Sequence, residues 1–327
     1  MGFCLHSGHG IAANFSPLPM SNALNSAMVG IVFLLSVSGS LAATTIGVPN
    51  ASFESPNVPF PSPNFNSWQK TPKPDWYDDG GGAFLWTQQI GAFKNTTIGS
   101  SNHIDNCDGL QALWLFATPE VCLFQDYDSM DWNDVVPSHD FNAEYAPGKS
   151  YRLTVGVIGT GGNMLQGATL DLSLYYRDAS SNRIVIAATT LTNSYDVFSN
   201  NTHFVDCHVT VLNVKASDAW SGQKIGIQFL STVSTNLQGG YWDLDNVRLV
   251  STLVPNLVNP VRTNGNFQFT LQSEPGLTFQ ILTSTNVILP ATNWTSLGFV
   301  TNVTGTVPFV DTPANFPQRF YQARQLP

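Results

Sequence analysis

Gly239–Leu249 reads GGYWDLDNVRL, and the phase of its side chains decides the fold. Successive residues of an extended strand point to opposite faces, so Trp242 and Leu244 share one face while Val247 and Leu249 fall on the other. The apolar phase flips at Asp245–Asn246, which predicts a β-bulge or a strand end there. The same stretch carries two carboxylates, Asp243 and Asp245, with one leucine between them. A carboxylate taken out of water needs a partner, a metal ion or a shifted pKa.

Outward from this stretch, short alternating runs dominate. YRLTVGVIG, ATLDLSLYYRD, NRIVIAATTLT, HFVDCHVTVLNV and QKIGIQFLSTV all read as half-buried strands, separated by turn chemistry such as APGKS, GTGGN and DASSN. No convincing amphipathic helix interrupts them, so the strands are expected to form an antiparallel sandwich. GLQALWLF and VCLFQ read as a hairpin turning at ATPE, with Trp114 and Trp242 in the core. Two prolines in STLVPNLVNP (Ser251–Pro260) mark a boundary, beyond which a second, smaller β-unit begins. The expected order is an N-terminal extension and signal peptide over 1–43, a main β-domain over 44–252 and a small C-terminal β-domain over 253–327.

Composition narrows the function. The chain has 327 residues, 43% hydrophobic and only 11% charged, with a formal net charge of -9. No basic run exists to track a nucleic-acid backbone, and an anionic membrane surface is disfavoured for the same reason. GVIGTGGNM departs from a dinucleotide-binding loop at Met164 and leads into a strand, which excludes a dinucleotide cofactor on this motif. MVGIVFLLSVSGSLAA (Met28–Ala43) has the apolar core and small-residue end of an export signal, although no Lys or Arg precedes Lys70. The chain is therefore expected to be secreted or held at the cell surface. Cys107, Cys122 and Cys207 would remain after cleavage, an odd number allowing at most one disulfide, with its pairing open.

Two sets of motifs carry a family resemblance. VPNASFESP, with Asn50, Phe53 and Glu54, followed by Trp68, resembles the opening of bacterial carbohydrate-binding jelly rolls of the family 4/9/22 type and their galactose-binding-like relatives. DNVRL (Asp245–Leu249) resembles their closing strand, and YAPGKSYRLTV a strand from the middle of such modules. The tail, with LTFQILTSTN, Trp294, FVD and RFYQAR, is similar to a small β-domain common in exported proteins of verrucomicrobial and planctomycete-like bacteria. The resemblance implies an all-β chain, a jelly-roll β-sandwich followed by a small C-terminal β-sandwich domain. It also implies a structural Ca2+ held by Glu54 and Asp245, with Asp243 as a further ligand. The alternative is that both aspartates are solvated edge residues or pair with an arginine.

Sugar faces stack on aromatic rings while hydroxyls take hydrogen bonds. Trp76, Tyr77 and Trp86 surround a Gly-rich acidic loop in KPDWYDDGGGAFLW and are the candidate glycan-binding platform. There is no nucleophile elbow, no HExxH and no carboxylate pair with glycosidase geometry legible in the sequence. The expected function is thus an exported, non-catalytic glycan-binding protein. The alternatives are a cell-surface adhesion protein with a protein partner, and a polysaccharide hydrolase or lyase.

Overall fold

The computed structural model describes residues 43–81, 84–312 and 318–326. Apart from Ala43, the export signal expected at Met28–Ala43 lies outside the described residues. The strands run in chain order as β1 (Thr44–Ile46), β2 (Gln69–Lys70), β3 (Ile90–Lys94), β4 (Gln111–Phe116), β5 (Cys122–Gln125), β6 (Lys149–Gly161), β7 (Thr169–Arg177), β8 (Arg183–Thr192), β9 (Val205–Val211), β10 (Gly226–Ser231) and β11 (Tyr241–Leu253). Six further strands follow: β12 (Asn256–Thr263), β13 (Asn266–Gln272), β14 (Thr278–Ser284), β15 (Thr295–Thr301), β16 (Thr306–Asp311) and β17 (Phe320–Gln325).

The first eleven strands form a jelly-roll β-sandwich. One sheet has the order β3-β4-β11-β6-β9, with β1 also pairing β11; the other has the order β2-β5-β10-β7-β8, and every pairing is antiparallel. Alternation along the strands builds the core between them. Leu113 and Leu115, Leu153 and Val155, Ile227 and Phe229, and Trp242 and Leu244 all point inward and are buried. A second pair of sheets, β12-β13-β16 and β15-β14-β17, encloses its own cluster around Phe269, Leu271, Ile281 and Tyr321. The described residues contain only short 3-10 turns and no α-helix.

The phase flip in GGYWDLDNVRL is a bulge. The register of β11 against β6 shifts between Asp245 and Arg248, and Asn246 adopts a left-handed φ of 52°. The extra residue turns Val247 and Leu249 back to the core side, so all four apolar residues of the stretch are buried together. Asp243 and Asp245 consequently face away from the core.

The opening motif is equally local in origin. The Asn50 side chain donates to the carbonyls of Ser55 and Asn66 and accepts from the Ser55 amide. Trp68 donates its indole N–H to Asn50 O and stacks on Phe229 at 5.3 Å. Glu54 Oε1 then accepts the amides of Leu110 and Gln111, fastening the opening segment to the start of β4.

One expectation changes here. GLQALWLF and VCLFQ are not a hairpin: β4 and β5 lie in opposite sheets, because the turn through Glu120, with φ 66°, carries the chain across the sandwich. Cys107, Cys122 and Cys207 are all free thiols.

Gly109 lies at the Glu54 fastening with φ 92°, and a Cβ there would sit 2.5 Å from Glu54 Oε1. Gly109→Ala combines a disfavoured backbone with a clash and is expected to cost about 2 kcal/mol or more. Urea unfolding followed by circular dichroism checks this; an unchanged midpoint would show that the fastening carries no stability.

Candidate functional site

The outer face of the β3-β4-β11-β6 sheet is aromatic. Because Leu113, Leu115, Trp242 and Leu244 point inward, their neighbours Trp114, Phe116, Tyr241 and Asp243 point out. Asp243 pairs with Trp114 on one side and Ile158 on the other. Together with Phe93 from β3 and the loop residues Phe60 and Phe84, these side chains line a cavity of about 690 Å³. Its mouth is polar, with Lys94, Asn95, Asn102 and Asn201.

The rings are held in place from several directions. Phe84 packs on Phe116 at 4.8 Å, and Phe116 meets Tyr241 edge-on at 5.8 Å. Trp114 donates its indole N–H to Gln88 O at 3.0 Å and lies over Gly91, where a Cβ would come within 2.2 Å of the ring. Gly161 and Gly162 give Tyr241 the same clearance. Lys70 ties two wall segments together from behind, donating to the carbonyls of Pro63, Thr87 and Ile90 at 2.5, 2.6 and 2.8 Å. Burial lowers the Lys70 pKa to about 7.

Asp243 is the carboxyl group of this cavity. It is 9% exposed, its Oδ1 is buried without a hydrogen-bond partner, and among the described residues no lysine, arginine or histidine forms an ion pair with it. Burial raises its pKa to about 8, so at neutral pH the group is a neutral carboxylic acid. A neutral acid facing aromatic rings, rather than a carboxylate facing a cation, is an arrangement suited to donating a proton.

The other predicted residues sort differently. Asp245 is fully buried beside the segment that Glu54 holds: its Oδ2 accepts the Asp108 amide at 2.7 Å and its Oδ1 the Asn246 amide at 2.7 Å. Burial raises its pKa to about 7, against the pull of those amides. Glu54 and Asp245 are therefore brought to one segment, Asp108–Gln111, as the opening and closing motifs imply, while Asp243 turns into the cavity. Three of the oxygens of Glu54 and Asp245 accept amide hydrogen bonds, Asp243 lines the cavity, and among the described residues no group of three or more acidic, histidine or cysteine side chains is placed to hold a metal ion.

Trp76, Tyr77 and Trp86 do cluster, with ring centroids 5.0 to 6.2 Å apart. They pack against one another as a knot: Trp76 is 48% exposed, whereas Tyr77 and Trp86 are buried, their polar atoms taken by Phe84 O and Thr71 O. Sequence patterning missed the cavity aromatics. Trp114 was expected in the core because ALWLF, after Gln111, is apolar throughout and so gives no face; its partner strands, not its own residues, decide which side is outward.

A family model described as HpiC1 cyclase matches residues 44–250. Comparison with curated proteins gives no match. Similar solved structures include a cyclase from Fischerella sp. TAU, 22% identical over 66% of this chain and 100% of that one, with a TM-score of 0.46. A Stig cyclase from Fischerella sp. TAU in complex with (3Z)-3-(1-methyl-2-pyrrolidinylidene)-3H-indole is 24% identical over 64% of this chain and 98% of its own, with a TM-score of 0.43. The xylan-binding domain of a Paenibacillus barcinonensis protein is 11% identical, covering 64% and 96%, with a TM-score of 0.32. The expectation of a non-catalytic module is overturned by the family match across the whole jelly roll: the chain belongs to the HpiC1-like cyclase family.

Proposed function

We propose that the chain cyclises an apolar, unsaturated substrate in the aromatic cavity, with Asp243 as the proton donor. The observation that carries this reading is the neutral, unpartnered carboxyl of Asp243 among Phe93, Trp114, Phe116 and Tyr241. Its O–H proton passes to one carbon of a substrate double bond, whose π pair becomes the new C–H bond. The neighbouring carbon is left cationic. The faces of Trp114, Phe116 and Tyr241 offer negative quadrupole density to that cation, worth about 0.5–2 kcal/mol per ring. A second π bond of the same substrate attacks the cationic carbon and closes the ring. The Asp243 carboxylate then removes a proton from the carbon beside the new cation, which restores a double bond and the acid. Substrate and product are isomers, and no oxidant or reductant is consumed.

The apolar wall favours the same chemistry. A carboxylate and a carbocation attract far more strongly in an apolar pocket than in water, and the cation escapes capture as an alcohol. Export to the cell surface stays a separate proposal, resting on Met28–Ala43 alone.

The test is a panel of aromatic compounds bearing alkenyl side chains, incubated with the full chain in D2O. The expected product has one more ring and one deuterium in place of one hydrogen, about one mass unit above its substrate, and forms more slowly with Asp243→Asn by about 10²–10⁴-fold. Undiminished turnover by Asp243→Asn would remove Asp243 from the mechanism.

The raised pKa has a consequence for stability. Asp243 is protonated in the folded chain below about pH 8 but ionised in the unfolded chain above the ordinary carboxylate range near 4. The unfolded state thus binds fewer protons in that window, and stability falls as pH rises through it. Asp245, raised to about 7, acts in the same sense. Melting temperatures measured from pH 5 to pH 9 are expected to decline, and Asp243→Asn is expected to flatten part of that decline. Identical slopes for the two proteins would contradict the assigned protonation state.

A further inference from the structure

The opposite sheet carries a second, smaller pocket that the cyclisation does not use. On the outer face of β5, β10 and β8, next to the segment after β2, a pocket of about 240 Å³ is lined by Thr71, Pro72, Pro74 and Trp86, and by Glu120, Arg183, Gln228, Cys122 and Leu230. Gln228 is only 7% exposed, lines this pocket, and its side-chain amide makes no hydrogen bond among the described residues. An amide with its donors and acceptor open to a pocket marks a place where a polar ligand completes the protein's hydrogen bonding. Among the described residues Arg183 makes no ion pair. Its guanidinium lies over the Phe124 ring at 4.2 Å, with Nη1 3.4 Å from Cys122 Sγ, and four further N–H groups remain as donors. Glu120 is held at the rim by Trp76, whose indole N–H reaches Oε2 at 3.1 Å, and by Thr71, whose hydroxyl donates to Glu120 O.

The mixture selects the ligand class. An anion would be repelled by Glu120 and a cation by Arg183, while an apolar molecule would leave Gln228 and Arg183 unsatisfied. Hydroxyl groups both donate and accept, so one molecule with several of them serves Gln228, Arg183 and Glu120 together. Trp86, Pro72, Pro74 and Leu230 supply apolar wall for C–H faces, and the Trp86 ring is fixed by its N–H bond to Thr71 O at 2.9 Å. The volume admits one ring, below the usual range of about 300–1,000 Å³ for larger ligands. We propose that this pocket binds a single neutral sugar unit, independently of the cyclisation cavity. Trp86, expected from the sequence to contact glycan, would then act from this pocket rather than from an exposed platform with Tyr77.

The experiment is saturation-transfer NMR and calorimetry on the full chain with D-xylose and D-glucose, with sodium acetate and glycine as charged probes. Saturable sugar binding is expected, weakened about tenfold or more by each of Gln228→Met and Arg183→Met, consistent with loss of one hydrogen bond to a buried or charged group. Asp243→Asn should leave sugar binding unchanged, which separates this pocket from the cavity. Gln228→Met keeps the side-chain volume, and its circular dichroism and melting temperature establish that the fold persists. Absence of saturable binding by either sugar, equal binding by both pocket variants, or preferential binding of acetate or glycine would each overturn the proposal.

Discussion

A carboxyl group buried without a partner is the constraint on which the site depends. Asp243 stands on β11 between Trp114 of β4 and Ile158 of β6, on the aromatic wall of the cavity. Among the described residues no cation pairs with its ionised form, and burial raises its pKa, so the neutral acid is the state compatible with the cavity. The rings around it follow from the same requirement. Glycines at 91, 161 and 162 leave room for Trp114 and Tyr241 to lie flat beside the acid.

β11 makes this arrangement possible by serving two masters. Its inward residues, Trp242, Leu244, Val247 and Leu249, are fully committed to the core, and the Asn246 bulge keeps them all there despite a change of phase. The two aspartates between them then point outward with different fates. Asp245 is capped by the Asp108 and Asn246 amides and ties the closing strand to the segment that Glu54 also holds. Asp243, two residues earlier, receives no amide at Oδ1 and is left as an acid. Two carboxyl groups of one motif thus differ in their hydrogen bonding, Asp245 accepting two amides and Asp243 lining the cavity.

Much of the fold was legible in the sequence because period-two alternation is a local signal. The strands from Tyr151 onward, the bulge at Asp245–Asn246 and the meeting of the Glu54 and Asp245 motifs were all readable. The β4–β5 connection was not, since a short loop joins strands within one sheet or across two with the same residues, and only the left-handed turn at Glu120 decides. The site was half legible. Asp243 stood out as an unusual carboxylate, yet the outward face of ALWLF could not be read from a run with no polar residue after Gln111 to mark it. Its assignment to a metal came from the closing motif's resemblance; the structure moves it to the cavity because residues 243 and 245 share a face but not the same neighbours across the sheet. Tyr77 and Trp86 illustrate the converse error: aromatic residues beside a Gly-rich loop look exposed in sequence, but here they bury one another.

The central claim, that Asp243 is a neutral acid at physiological pH, is tested most directly by titrating its side-chain 13C carboxyl resonance in chain labelled at aspartate, assigned by its absence in Asp243→Asn. The account predicts a resonance that stays in its protonated position at pH 7 and titrates near pH 8. Titration in the ordinary carboxylate range near pH 4 would contradict it.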